Sequence, residues 1–209
     1  MSFAVEMEDQ RQVVLRQAAE MFMRYGLKPV TMDDLARELG MSKKTLYQHV
    51  SGKEDLVQQT VKALFAEAKG RLDEALARSG NAIDQLFSID EVVCQNIENY
   101  HHGLQFQLRR YYPEVHRWLE EQRQAMITAT THKNIAQGQK EGLYRSDLNV
   151  EIITLLYYSR MVVLTGQEID PFKDYETKAV MREILVYHIN GLATDAGRQY
   201  LQSKITDKA

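Results

Sequence analysis

The chain has 209 residues, 44% hydrophobic and 26% charged, with a formal net charge of −3. That length and composition suit a globular protein, either one large domain or a small domain joined to a larger one. The single Cys94 excludes an internal disulfide framework, no run nears the roughly 18 apolar residues of a membrane span, and the first eight residues lack a secretory signal pattern, so a reducing cytoplasm is expected.

Only three prolines and 11 glycines interrupt the chain, which favours an all-α protein. A first helix is predicted over 8–25, where Val14, Ala18, Met21, Phe22 and Tyr25 keep the spacing of one buried stripe. Gly26 fits as the left-handed residue past its end, and Pro29 prevents its resumption. Thr31 caps a second helix, with Asp33 and Asp34 in its first turn, Leu35 and Leu39 buried, and Ala36 small enough for a close crossing. Gly40 supplies a sharp turn, Met41 points inward, and Ser42 caps a short third helix over 43–50 whose core residues are Leu46 and Val50. Ser51-Gly52 breaks the chain before a fourth helix of about 25 residues, in which Val57, Val61, Leu64, Phe65, Ala68, Leu72, Ala75 and Leu76 keep helical spacing. It ends at Ser79-Gly80-Asn81. Further helices are predicted near 82–102, 105–111, 113–139, 149–165 and 175–193, followed by a weakly structured tail. The boundary between a small module (1–55) and a larger domain (56–209) falls at the fourth helix, which connects the two.

Charge is concentrated in the small module. From Arg37 to Lys53 four basic residues face one acid, Glu38, a local +3 in an acidic protein. The two helices around Gly40 have the spacing of a helix-turn-helix, and Lys43, Lys44, Thr45, Tyr47, Gln48 and His49 are left outside the predicted core. Lysine and threonine reach base edges, whereas Tyr47 and His49 donate to phosphate and read no sequence. Lys53 sits beside the free N–H groups that open the fourth helix, a place for a phosphate. A plain helical hairpin with a solvated basic face would share the two-helix pattern. The Ser42 cap, Leu46-Tyr47-x-His49 and Gly52-Lys53 together favour the DNA reading.

The segment resembles the DNA-binding domain of TetR-type bacterial transcriptional regulators. The matching residues are Ala18-Ala19-Glu20-Met21-Phe22, Tyr25-Gly26, Thr31, Asp34-Leu35-Ala36, Leu39-Gly40-Met41-Ser42, Thr45-Leu46-Tyr47-x-His49 and Lys53-Glu54-x-Leu56. The resemblance implies phosphate contacts at Thr31, Tyr47, His49 and Lys53, with Lys43, Lys44 and Thr45 facing bases. Many members carry glycine or proline near Lys44, so phosphate affinity is the alternative role of the paired lysines. It also implies an all-α chain of about nine helices, an effector pocket in the larger domain, and a homodimer through the last two long helices. The sequence supports the dimer separately. The helix bearing Ile152, Leu156 and Val163 and the one bearing Val180, Ile184 and Tyr187 are each apolar on more than one side, as a four-helix interface requires.

Aromatic and soft side chains gather in the middle of the chain. Tyr100, Phe106, Trp118, Gln122, Met126, Tyr157 and Met161 have the apolar-with-few-polar character of an effector cavity, although each also suits an ordinary core. His101, His102 and His116 lack metal-ligand spacing, and no glycine-rich phosphate loop or nucleophile elbow is present, so neither a metal, a cofactor nor catalysis is expected. The expected function is therefore a cytoplasmic, homodimeric, sequence-specific regulator, most simply a repressor released from a palindromic duplex operator by a small molecule. A same-fold activator or DNA binder without an effector, and a helical protein-interaction module with a basic face, are the alternatives.

Overall fold

Glycine conformations divide the helices where the sequence pattern places breaks. In the computed structural model, which describes residues 2–98, 102–165 and 174–206, Gly26, Gly40 and Gly142 adopt left-handed backbone angles, with φ of 83°, 62° and 72°. Each lies just past a helix end, where other residues would be strained. The regular structure among the described residues is helical: α1 (Ser2–Tyr25), α2 (Met32–Glu38), α3 (Lys43–Leu46), α4 (Lys53–Arg78), α5 (Ala82–Glu98), α6 (His102–Tyr111), α7 (Pro113–Lys140), α8 (Val150–Thr165), α9 (Thr177–Leu192) and α10 (Asp195–Thr206).

The helices pack as two units, residues 1–68 with 101–122 and residues 69–100 with 123–209. This partition differs from a division at 55/56. The first unit keeps the opening turns of α4 and also takes α6 and the start of α7, which lie far away in sequence. Its core joins Val14, Leu27, Leu35, Leu46 and Leu56 to Leu108, Val115 and Leu119. Gln107 of α6 fastens the loop after α1: its Oε1 accepts from the Leu27 amide at 2.8 Å and the Lys28 amide at 3.1 Å. A side chain at Gly26 would meet that same Gln107 amide.

The second unit packs Ile83, Leu86, Leu185, Ile189, Leu192 and Leu201 around one core. Asn134 is its buried polar node, donating to the Ala82 carbonyl at 2.8 Å and accepting from the Tyr144 hydroxyl at 3.2 Å. Tyr144 lies flat against Gly138, so that a Cβ there would stand 2.1 Å from the ring. The tail is not weakly structured. Residues Asp195–Thr206 form α10, with Leu201 fully buried and Asp84 holding both the Tyr200 hydroxyl, at 2.8 Å, and the Lys204 ammonium. These anchors lie more than a hundred residues away along the chain, beyond the reach of local periodicity. The tail brings the number of helices among the described residues to ten instead of nine.

Candidate functional site

The helix-turn-helix is built by caps at each end of its turn. Thr31 and Asp34 form a reciprocal capping box at the start of α2, and this hydrogen bonding holds the Asp34 carboxyl below the usual carboxylate range, led by the Thr31 hydroxyl. At the other end the Gly40 amide donates to Arg37 and the Met41 amide to Ala36, the paired bonds of a Schellman motif. Ser42 then accepts from the Thr45 amide at 3.1 Å to open α3. The α-helix ends at Leu46 rather than at residue 50, although the Val50 amide still bonds four residues back. From there the Gln48 and His49 amides bond three residues back, which tightens the last turn.

This scaffold sorts the expected DNA contacts. Lys44, Tyr47 and Gln48 are exposed, Tyr47 at 49%. Lys43 is exposed but ion-paired with Asp33 at 2.6 Å, so it must trade that carboxylate for a base or phosphate. Thr45 is half-buried, with its hydroxyl 2.8 Å from Ser42 Oγ. Thr31 donates its hydroxyl to Asp34 at 2.6 Å. Lys53 donates to the Lys28 carbonyl at 2.9 Å; burial draws its ammonium below the ordinary lysine range while Asp34 opposes the shift. His49 stands apart from the others. It is buried, and its Nε2 has no hydrogen-bond partner among the described residues, so reaching phosphate requires the ring to swing out. The local +3 also shrinks: Asp33 and Asp34, just upstream of the counted window, pair with Lys43 and Arg37, and counting them leaves +1.

The residues expected at an effector cavity occur in both units. In the first, Phe106 is 46% exposed, Gln122 is half-buried, and Trp118 packs edge-on to Phe65 at 5.8 Å beneath the Lys62 ammonium. In the second, Met126 is half-buried and Tyr157 is buried. Tyr100 and the side chains of Met161 and Val163 lie outside the described residues. Of the expected interface, Ile152, Leu156 and Tyr187 are 56%, 58% and 82% exposed, joined by Leu155 at 62%, while Val180 and Ile184 are half-buried. These residues lie on α8 and α9 of the second unit.

Sequence reasoning missed a charged cluster in the second unit. Arg160 of α8 pairs with Asp90 of α5 at 3.4 Å, with only 8% and 11% of their side chains exposed. Its guanidinium lies 4.6 Å over the Tyr157 ring, and that ring lies 5.3 Å from His188 of α9. Burial lifts Asp90 to about 6 against the pull of Arg160 and Arg182. Burial, aided by Arg160, depresses His188 to about 4. One signal was available: Arg160 is the single charged residue between Ile152 and Thr165.

Residues 14–60 match the model for bacterial regulatory proteins of the tetR family. The chain is 25% identical over 157 residues to the HTH-type transcriptional repressor KstR2 of Mycobacterium tuberculosis, covering 72% of this chain and 76% of the relative. It is 26% identical over 171 residues to the uncharacterized HTH-type transcriptional regulator YvaF of Bacillus subtilis, covering 79% and 86%. Among solved structures, a TetR-family regulator from Cytophaga hutchinsonii superposes with a TM-score of 0.71 at 14% identity, over 91% of this chain and 98% of that one.

Proposed function

This chain belongs to the TetR family of bacterial regulatory proteins, DNA-binding regulators of transcription, and from that premise we propose that it is a homodimeric repressor released from a palindromic operator by a small-molecule effector. The observation that carries the DNA reading is the doubly capped turn, Schellman-closed at Gly40 and Ser42-capped at α3, which presents Lys44, Tyr47 and Gln48 outward. A helix held by its own caps enters a major groove without first having to order. Lys44 and Tyr47 hold the backbone, with Lys43 and Thr45 at base edges once Asp33 and Ser42 release them. Thr31 and Lys53 grip flanking phosphates. The dimer rests on the exposed faces of α8 and α9, where Ile152, Leu155, Leu156 and Tyr187 would otherwise meet water. A protein of this size, with no membrane-length apolar helix among its described residues, fits a cytoplasmic role. The similar proteins are regulators rather than enzymes.

Release follows from a two-state equilibrium. An effector favouring the dimer conformation with misplaced recognition helices weakens DNA binding by no more than its differential affinity for the two states. Mobility-shift titration of purified protein against selected duplexes tests this reading. A sequence-dependent complex with Tyr47→Phe and Lys44→Ala each weakening it supports the interface. Binding that ignores sequence and both substitutions counts against it.

A further inference from the structure

A guanidinium withdrawn from water needs acceptors for its N–H groups and a balancing negative charge. Arg160 lacks both in full. Its side chain is 92% buried by the 8% that remains exposed, and only Nη2 is engaged, at 3.4 Å from both the Asp90 carboxylate and the Tyr157 hydroxyl. Both are long for charge-assisted bonds, which typically lie near 2.7–2.9 Å. Nε and Nη1 are buried and have no hydrogen-bond partner among the described residues. Charge is short as well. Among the described residues Asp90 faces both Arg160 and Arg182, one carboxylate between two guanidiniums, and His188 stays neutral near neutral pH. An internal water would satisfy an N–H but add no charge.

We propose that Arg160 is the anchor of an effector site in the second unit, and that the effector is an organic carboxylate with an apolar body. The acid is specified by the planar fork of the guanidinium, which matches a carboxylate in two parallel hydrogen bonds. Asp90 marks the kind of group the site holds, and a carboxylate seated in the fork competes with it for Nη2. The apolar body is specified by the surroundings. Tyr157 stacks on the guanidinium, His188 lies against Tyr157, and Phe87 lies 4.4 Å beneath Arg182. Tyr157 and Phe87 belong to the same apolar core. When the acid binds, its carboxylate supplies a second negative charge beside the Arg160 and Arg182 guanidiniums. The inference deepens the proposed function and rests on the reading that the chain answers to an effector.

The test uses full-length protein and sodium decanoate, with 1-decanol and decyl phosphate as matched probes, followed by calorimetric titration and thermal shift. Decanoate should bind at least about tenfold tighter than decanol, the margin one charge-assisted pair supplies. The paired substitution Asp90→Asn with Arg160→Met, which removes both buried charges together, should abolish that margin. Arg160→Lys, which keeps the charge but loses the fork, should cut it by about tenfold. Asp90→Asn alone should tighten decanoate binding by removing its rival. Equal binding of decanoate and decanol, or a margin that survives in the paired variant, overturns the proposal, and a preference for decyl phosphate overturns its carboxylate class. A parallel operator titration separates the two readings. Operator binding without any carboxylate margin sinks the effector site alone. Loss of operator binding alone sinks the regulator reading while a decanoate margin stands.

Discussion

Lys43 and Asp33 show how a single pair conditions the reading of DNA. Their 2.6 Å contact is exposed on both sides, so its own contribution to stability is small. Under the proposed DNA contact its effect on binding is larger, because Asp33 neutralises the lysine before it meets a groove. Asp33→Asn should raise affinity most for the preferred operator sequence, because the freed Lys43 reads a base edge, measured by fluorescence anisotropy on matched and scrambled duplexes. An equal gain on every duplex would contradict base reading by Lys43. Lys43→Ala should likewise alter sequence preference, and a uniform loss across sequences would make Lys43 a backbone contact. The buried cluster offers a second test at this scale. His188 titrates near 4 against 6.5 in an unfolded chain, so its contribution is complete above 6.5 and lost as pH falls toward 4. Asp90 titrates near 6 against 3.8, so its contribution is present below 3.8 and lost as pH rises through 6. The two oppose each other over nearly the same window. Relative to the parent, His188→Gln should gain thermal stability on acidification from pH 6.5 to 4, and Asp90→Asn should lose it. Shifts of the same sign in both variants would contradict these environments.

At the scale of elements, local signals placed most of the helices and their caps. Thr31, Gly40, Ser42 and Gly26 act where their residue types say they should, because a cap or left-handed turn depends on neighbours within a few positions. What the sequence concealed is long-range. Gln107 binding the loop at Leu27 and Lys28, α10 held by Asp84, and the burial of His49 all depend on partners or packing that periodicity cannot see. The Lys28 carbonyl also receives Lys53, so α6 and the start of α4 grip one loop from two sides. Gln107→Ala should therefore lower unfolding stability by about 1 kcal/mol and weaken operator binding, while Gln107→Glu, which keeps the acceptor, should restore most of both. Two glycines provide a matched pair in the second unit. Gly138→Ala drives a methyl into the Tyr144 ring and should cost about 1–3 kcal/mol. Gly70→Ala, with open space around it, should stabilise α4 by about 0.5–1 kcal/mol. Denaturant titration reads both, and equal effects would refute the packing at Gly138.

For the whole molecule, the helix-turn-helix was largely legible and the buried Arg160 cluster of the second unit was not. The helix-turn-helix is a local pattern of caps, small residues and exposed polar side chains, so it survives in one dimension. The Arg160 cluster draws Asp90 from α5, Tyr157 and Arg160 from α8, and Arg182 and His188 from α9; the sequence marked only Tyr157, as an aromatic, and Arg160, by its isolation in an apolar run. Dimerisation belongs to this scale too. Leu156→Asp places a charge on an apolar surface that is 58% exposed in the single chain, and should yield a folded monomer by sedimentation with operator affinity greatly reduced. A dimer that persists would move the interface elsewhere. The central claim, that two copies read a two-fold operator through α3, is tested most directly by selecting duplexes from a random pool with the purified full-length protein. An inverted repeat should emerge, its half-sites about 34–36 Å apart or a multiple of that. Recovery of no enriched sequence, or of a single half-site without dyad symmetry, would contradict it.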